Sequence, residues 1–322
     1  MSGFASTGSL PAGADFVLPF HLEGAAVSGR LVRLGAAANG ILSRHDYPAP
    51  IATLLGETLA LAVGLAGALK YEGVFTLQTK GNGPVSFLVA DVTSEGHVRG
   101  YAQFDPARVP DAAAVRPEGQ SVPTWLGAGH LAFTVDQGGN TERYQGIVAL
   151  EGSTLADCAH HYFRQSEQVE TAIKVAVDRD GNGWRCAALF LQRLPVKGFT
   201  RESADDRWRE ALSLMATVTN AELVDPTLAA NDLLFRLFHE RGVRVHEAKP
   251  LIDKCRCSEE RVVTMLQSFP RGEIEALTRD GVVEVSCEFC RRLYRFDERA
   301  LERIYAPSAR PAPRAADRRP EE

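Results

Sequence analysis

The chain has 322 residues, of which 45% are hydrophobic and 24% charged, and its formal net charge at pH 7 is −5. This is the composition of a folded soluble protein, long enough for one large domain and something smaller. The acidic balance argues against a general binder of nucleic acid or anionic membranes, because such proteins gain most of their affinity from clustered positive charge. The N-terminal residues 1–14 lack the basic and apolar regions of a signal peptide, so we expect a cytoplasmic protein with reduced thiols.

The first long element is an apolar run at 51–69, which is long enough to cross a bilayer. Glu57 and three glycines interrupt this run. Small residues and a carboxylate in mid-helix favour a helix packed inside a globular domain over a transmembrane span.

Strand patterns follow this helix. The Gly-x-Gly at Gly81 and Gly83 joins two strands and opens no helix, which indicates a hairpin turn and not a dinucleotide loop. Ser153 is the predicted N-cap of a helix that continues to about Gln168. Asp91, at a predicted strand end, has no evident partner in the sequence. The predicted strands are 74–80, 85–92 and 97–104 in a meander, 130–135 and 144–150 in a hairpin, and 171–178 and 184–194 in a second hairpin.

Short helices are predicted next, at 205–217, 221–224 and 231–241. Helices this short are marginal in isolation, so their apolar side needs a surface to cover. That side comprises Trp208, Leu212, Met215, Leu233, Leu234, Leu237 and Phe238.

Four of the six cysteines lie close together near the C-terminus, as Cys255-Arg256-Cys257 and, thirty positions further on, Cys287-Glu288-Phe289-Cys290. Four thiolates are the number that a tetrahedral zinc ion requires, and the same sulfurs can form two disulfides. The spacing alone leaves open a structural zinc site, a redox switch, a zinc-dependent nucleic-acid module and an iron–sulfur site. The predicted elements between and after the pairs are a helix capped by Ser258, a segment at 271–278 and strands at 282–285 and 293–296.

The remaining cysteines, Cys158 and Cys186, lie in a predicted helix and strand of the main domain and are expected to be inert buried thiols. The histidines are scattered, and no Gly-x-Ser-x-Gly, Walker loop or His-Glu-x-x-His occurs. The sequence therefore predicts no enzyme.

The chain resembles the thirty-three-kilodalton heat-shock proteins, which are redox-regulated holdase chaperones. The resemblance rests on the cysteine cluster and on GRLVRLG at 29–35, LQTKGNGP at 77–84, AFTVDQ at 132–137, YQGIV at 144–148 and HYFRQSEQ at 161–168. It implies one Zn²⁺ held by Cys255, Cys257, Cys287 and Cys290 when reduced, and disulfides Cys255–Cys257 and Cys287–Cys290 when oxidised. It further implies an ATP-independent chaperone that binds unfolded clients, forms a homodimer when oxidised and passes clients to foldase chaperones.

The predicted fold class is α+β, with a large β-rich N-terminal domain, a helical linker and a small C-terminal zinc-binding domain. The rival interpretation is a structural zinc module attached to an unrecognised α+β enzyme or nucleic-acid-binding protein. The predicted boundaries are a flexible N-terminus at 1–14, a core for client binding and dimerisation at 15–200, a redox-sensitive linker at 201–248, the zinc domain at 249–305 and a disordered tail at 306–322.

Overall fold

The computed structural model describes residues 11, 13–23, 25–110, 120–138, 143–167, 169–195 and 201–306. The chain forms two compact units, the first ending at Cys255 and the second beginning at Arg256. The predicted α+β class is confirmed. Most of the predicted flexible N-terminus, and all of the predicted tail beyond residue 306, lie outside the described residues.

The first sheet has the strand order β10-β1-β2-β9-β8, and β11 also pairs with β1. Strands β2 and β9 are buried along nearly their whole length. The central run of β9, residues 186–191, is apolar throughout, as expected of a strand with no exposed face, whereas β2 buries Arg30 and Arg33 among its apolar residues. The predicted hairpin of β8 and β9 is confirmed to within two residues at each end. The strands are β1 (Phe16–Leu22), β2 (Val27–Leu34), β8 (Thr171–Asp180), β9 (Gly183–Arg193), β10 (Val243–Val245) and β11 (Lys249–Pro250).

The second sheet has the order β12-β5-β4-β3-β6-β7. The predicted meander and hairpin are confirmed here. At the β3–β4 turn, a Cβ on Gly83 would lie 2.5 Å from the carbonyl oxygen of Trp125, so the glycine is required by close backbone packing and not by a ligand. The strands are β3 (Val74–Gly81), β4 (Val85–Thr93), β5 (His97–Phe104), β6 (Gly129–Asp136), β7 (Tyr144–Ala149) and β12 (Ile252–Asp253).

The long helix α2 (Ala49–Ala66) packs against strands of both sheets and forms one continuous apolar core with them. Its glycines allow the close approach, since a Cβ on Gly64 would lie 1.9 Å from the Phe190 ring. The helix is long and apolar enough to cross a membrane, but 78% of it is buried inside the protein. That burial is typical of a core helix, as the sequence indicated.

Two shorter helices, α1 (Ala36–Leu42) and α3 (Leu155–Tyr162), complete this core. The predicted N-cap of α3 at Ser153 is wrong by one residue. Thr154 caps the helix, because its hydroxyl accepts a bond from the N–H of Asp157 while the Asp157 carboxylate accepts one from the N–H of Thr154. This capping box needs its acidic residue three positions after the cap, and Asp157 satisfies that spacing only for Thr154.

Three helices cover the other face of the first sheet and are called the helical layer: α4 (Arg201–Ala216), α5 (Asn220–Val224) and α6 (Ala230–Phe238). Successive residues of β9 point to opposite faces of the sheet. Leu189 therefore contacts the helical layer, while Phe190 contacts the core around α2. The predicted apolar side, from Trp208 to Phe238, is buried or partly buried there.

Polar contacts also bind the helical layer to the sheet. Arg33 on β2 is 8% exposed, and its guanidinium donates to the carbonyl oxygens of Leu223 at 3.0 Å and Glu222 at 3.1 Å. These carbonyls lie at the end of α5, where the helix leaves them without internal partners. Lys174 on β8 donates to the carbonyl oxygen of Val218. The layer is thus held by apolar packing and by charge-assisted hydrogen bonds.

The second unit is small. It has a separate apolar core that includes Leu266, Ile274, Val283 and Phe296. The two strands form an antiparallel hairpin, as predicted, and α9 was not predicted. The elements are α7 (Glu259–Leu266), α8 (Arg271–Glu275), β13 (Val282–Ser286), β14 (Leu293–Asp297) and α9 (Glu298–Tyr305).

Candidate metal centre

The first two candidate ligands lie between β12 and α7. Cys255 follows Lys254, whose N–H donates to the carbonyl oxygen of Val98 on β5 at 3.1 Å. Cys257 precedes Ser258, which caps α7 by accepting a bond from the N–H of Arg261 at 3.3 Å. A strand pairing on one side and a helix cap on the other therefore fix the backbone of this Cys-x-Cys.

The second pair lies in the turn between β13 and β14. The N–H of Cys287 donates to the carbonyl oxygen of Arg292 at 2.9 Å, and the N–H of Arg291 donates back to Cys287 at 2.8 Å. Arg291 has a φ of 61°, in the left-handed region that residues other than glycine seldom adopt. The turn is tightly closed, which brings Cys287 and Cys290 to the same side.

The four sulfur atoms all lie within 4.8 Å of one another, and those of Cys257 and Cys290 are 3.4 Å apart. In a tetrahedral zinc site with bonds of about 2.3 Å, neighbouring sulfurs lie about 3.8 Å apart. All four side chains are half-buried thiols, and none of them is in a disulfide. The donor set and its spacing thus fit a four-coordinate thiophilic ion.

Cationic groups surround this cluster. In the sequence, basic residues lie beside the cysteines, and Arg292 is one of them. The pKa of its guanidinium is raised mainly by neighbouring Tyr294 and, to a smaller extent, by Cys257 and Cys290. Arg99, on β5 and distant in sequence, donates from Nη1 to the sulfur of Cys255 at 3.8 Å. Positive charge near sulfur favours its deprotonated, metal-binding form.

Arg99 pairs with Asp91, a partner that was not evident from the sequence. Asp91 lies within β4, directly opposite Arg99 on β5, and the two form an ion pair at 2.6 Å. Burial would lower the pKa of Arg99, but contacts with Asp91 and Cys255 outweigh it and raise the pKa. Arg99 was missed because its contact with Cys255 joins residues 156 positions apart.

Cys158 on α3 and Cys186 on β9 lie away from the cluster and are buried, as expected. Burial raises the pKa of Cys158 to about 11 and raises that of Cys186 as well. A protonated buried thiol is neither a good nucleophile nor a metal ligand. Among the described residues, the four-cysteine cluster is the group of metal-ligating side chains that converges on one point.

The fold and the site together define a class of protein: a two-sheet α+β core, a small C-terminal unit and a four-thiol centre that could bind a metal ion. The family model for the Hsp33 protein matches residues 15–297, and the chain belongs to this family.

Curated relatives agree with this assignment. A 33 kDa chaperonin of Caulobacter vibrioides is 42% identical over 290 residues, which cover 88% of this chain and 95% of the relative. A 33 kDa chaperonin of Azotobacter vinelandii is 37% identical and covers 94% of this chain and 98% of the relative. The crystal structure of the 33 kDa chaperonin from Thermotoga maritima shares the fold, with a TM-score of 0.77 at 24% identity, over 90% of this chain and 97% of that one.

Proposed function

We propose that this protein is an ATP-independent, redox-regulated holdase chaperone. The observation that carries the proposal is the convergence of four reduced cysteines within 4.8 Å in a member of the Hsp33 family. A four-thiolate site leaves no open position for a catalytic water, so a role in regulation or structure is favoured over hydrolysis. The names of the relatives, chaperonins, likewise suggest that the protein is not an enzyme.

In the reduced state, Cys255, Cys257, Cys287 and Cys290 would hold one Zn²⁺. The apolar core of the second unit is small, and a structural zinc ion in such a module contributes on the order of 10–16 kcal/mol to folding. Folding of the second unit and metal binding are then parts of one equilibrium.

Peroxide would convert this reduced, zinc-bound state into the oxidised one. Two thiolates lose two electrons to one peroxide molecule, an S–S bond forms, the O–O bond breaks, and the oxygens leave as two waters after taking up protons. A Cys287–Cys290 disulfide removes two of the four ligands, and Cys255–Cys257 removes the others. The site then loses its ion, and the second unit loses the free energy that folded it.

The linker at 201–248, which contains the helical layer, would next detach from the first sheet. Its inner side and the sheet face below it are apolar, including Phe20, Leu189, Leu234 and Phe238. Exposed apolar surface of this kind binds unfolded chains. We propose that such clients are held in the cytoplasm by an oxidised homodimer and released later to foldase chaperones.

The test pairs zinc release with light scattering from a heat-unfolding client, for reduced protein and for protein treated with peroxide at elevated temperature. We expect zinc loss and suppressed scattering after oxidation alone. Cys287→Ser should lose zinc while reduced, whereas Cys158→Ala, which changes a buried thiol outside the cluster, should keep it. Equal activity in both redox states would instead mean that the cluster has only a structural role.

A further inference from the structure

Residues 249–255 connect the core to the second unit and are called the strap. Its first part, β11, pairs with β1 of the first sheet, and its second part, β12, pairs in parallel with β5 of the second sheet. Between them, Leu251 is 6% exposed and its N–H donates to the carbonyl oxygen of Asp15 at 3.0 Å. The strap therefore lies along the edges of both sheets and ends at the first cysteine of the site.

The Asp253 side chain of the strap contacts α1 and the turn after it. Arg44 binds the Asp253 carboxylate through two bonds, of which Nη1 to Oδ1 measures 2.9 Å. A Cβ on Gly40 would lie 2.6 Å from Oδ2 of Asp253, so the carboxylate fits where the helix has no side chain. A bidentate pair of this kind fixes direction as well as distance.

The cysteine end of the strap is held by Arg99. Its Nε donates to Asp91 at 2.7 Å, and Asp91 also accepts a bond of 2.6 Å from Thr76. The side chains of Arg99 and Asp91 are only 15% and 4% exposed. Arg99 is therefore rigid, and its remaining nitrogen, Nη1, points at the sulfur of Cys255.

We propose that Arg99, oriented by Asp91, is a positioning residue that holds Cys255 at the core and thereby sets how tightly the four-cysteine site retains its ion. A hydrogen bond from a fixed cation orients a thiolate ligand and withdraws electron density from its sulfur. With the bond in place, Cys255 stays beside the other thiols and reacts slowly with peroxide. Without it, the cysteine end of the strap is held less firmly on β5.

The inference rests on the proposed function only in that the reduced site binds Zn²⁺. Zinc affinity is measured by competition with a chelator in the reduced full-length protein. Loss of an outer-shell partner typically lowers metal affinity about 10- to 100-fold, and we expect this for Arg99→Gln. Arg99→Lys, which keeps a cation, should recover part of the loss. Arg185→Gln, which breaks the ion pair between Arg185 on β9 and Asp180 on β8, is the matched control and should bind zinc like the wild type.

Arg99→Gln removes the cation that pairs with the buried carboxylate of Asp91 and is therefore liable to misfold. The double variant D91N/R99Q removes both charges, and its two amides can bond to each other. We expect it to keep the thermal midpoint of the core, to lose zinc affinity, and to exchange the amide hydrogens of Ile252 and Lys254 faster than the wild type. The Ile252 amide donates to the carbonyl oxygen of Gly96, just before β5, at 2.9 Å, and the Lys254 amide donates to that of Val98 on β5 at 3.1 Å.

A folded double variant with wild-type zinc affinity would overturn the proposal. So would an Arg99→Lys variant as weak as Arg99→Gln, because the loss would then belong to packing and not to the cation. Wild-type protein that binds no zinc is a different result, which refutes the proposed function itself.

Discussion

Phe238, at the end of α6, is a fully buried side chain that attaches the helical layer to the first sheet. It is 0% exposed, and its ring stacks on that of Phe20 at 5.8 Å between centroids and 25° between planes. Replacing such a buried phenylalanine by alanine costs about 3–5 kcal/mol. If the loss falls on the layer, the equilibrium for its detachment shifts by about two to three and a half powers of ten. Phe238→Ala should therefore loosen the layer in protein that is still reduced.

The assay is amide exchange over 201–238 in reduced, zinc-loaded protein, together with light scattering from an unfolding client. The control is Phe235→Ala in the same helix, because Phe235 is 46% exposed and exposed substitutions usually change stability by less than about 0.5 kcal/mol. We expect fast exchange and partial suppression of scattering for Phe238→Ala only. The reasoning is refuted if the two variants exchange alike, since buried packing would then not be what holds the layer.

Three further outcomes are expected. Burial raises the pKa of Glu57 to about 7, so its charge opposes folding above about pH 4.5. Glu57→Gln should thus stabilise the protein by about 1–3 kcal/mol at pH 8, and much less at pH 5, in denaturant titrations. Burial and His246 lower the pKa of His21, whose ring nitrogen lies 2.9 Å from His246. Neutral His21 should help to hold β10 on β1 above about pH 6.5, and its protonation on acidification should loosen this pairing, seen as faster amide exchange in β10; exchange protection that does not fall with pH would contradict this. Gly64→Ala should cost about 1–3 kcal/mol in thermal unfolding, because the new methyl group collides with Phe190, and a wild-type midpoint would count against it.

The sequence was most informative where structure is local. The meander β3–β5 and the hairpins follow from alternation between turn residues, and α7 follows from its cap at Ser258. Strands β10, β11 and β12 were not predicted, because segments of two or three residues carry no periodicity and pair only with distant strands. The helix α9 was missed although Asp297 caps it, since its buried residues Leu301 and Ile304 face a core that is defined by other elements.

The candidate site was likewise predictable only in part. The four cysteines could be predicted from their spacing, and the structure brings their sulfurs together. The groups that orient Cys255 could not be predicted, because Arg99 and Asp91 come from a β-sheet far away in sequence. Ligand type is a local property of the sequence, whereas the surroundings of a ligand depend on the fold.

The position of the strap also determines which strands can associate with other chains. In the present structure, β10 and β11 occupy the edge of β1, and β12 occupies part of the edge of β5. An unpaired strand edge is a template for pairing with another chain, and proteins usually keep such edges covered. Departure of the strap would uncover an edge on each sheet at the same moment, which favours self-association as well as capture of extended segments. A chain cut short before Lys249 would carry the uncovered edge of β5 permanently, even under fully reducing conditions.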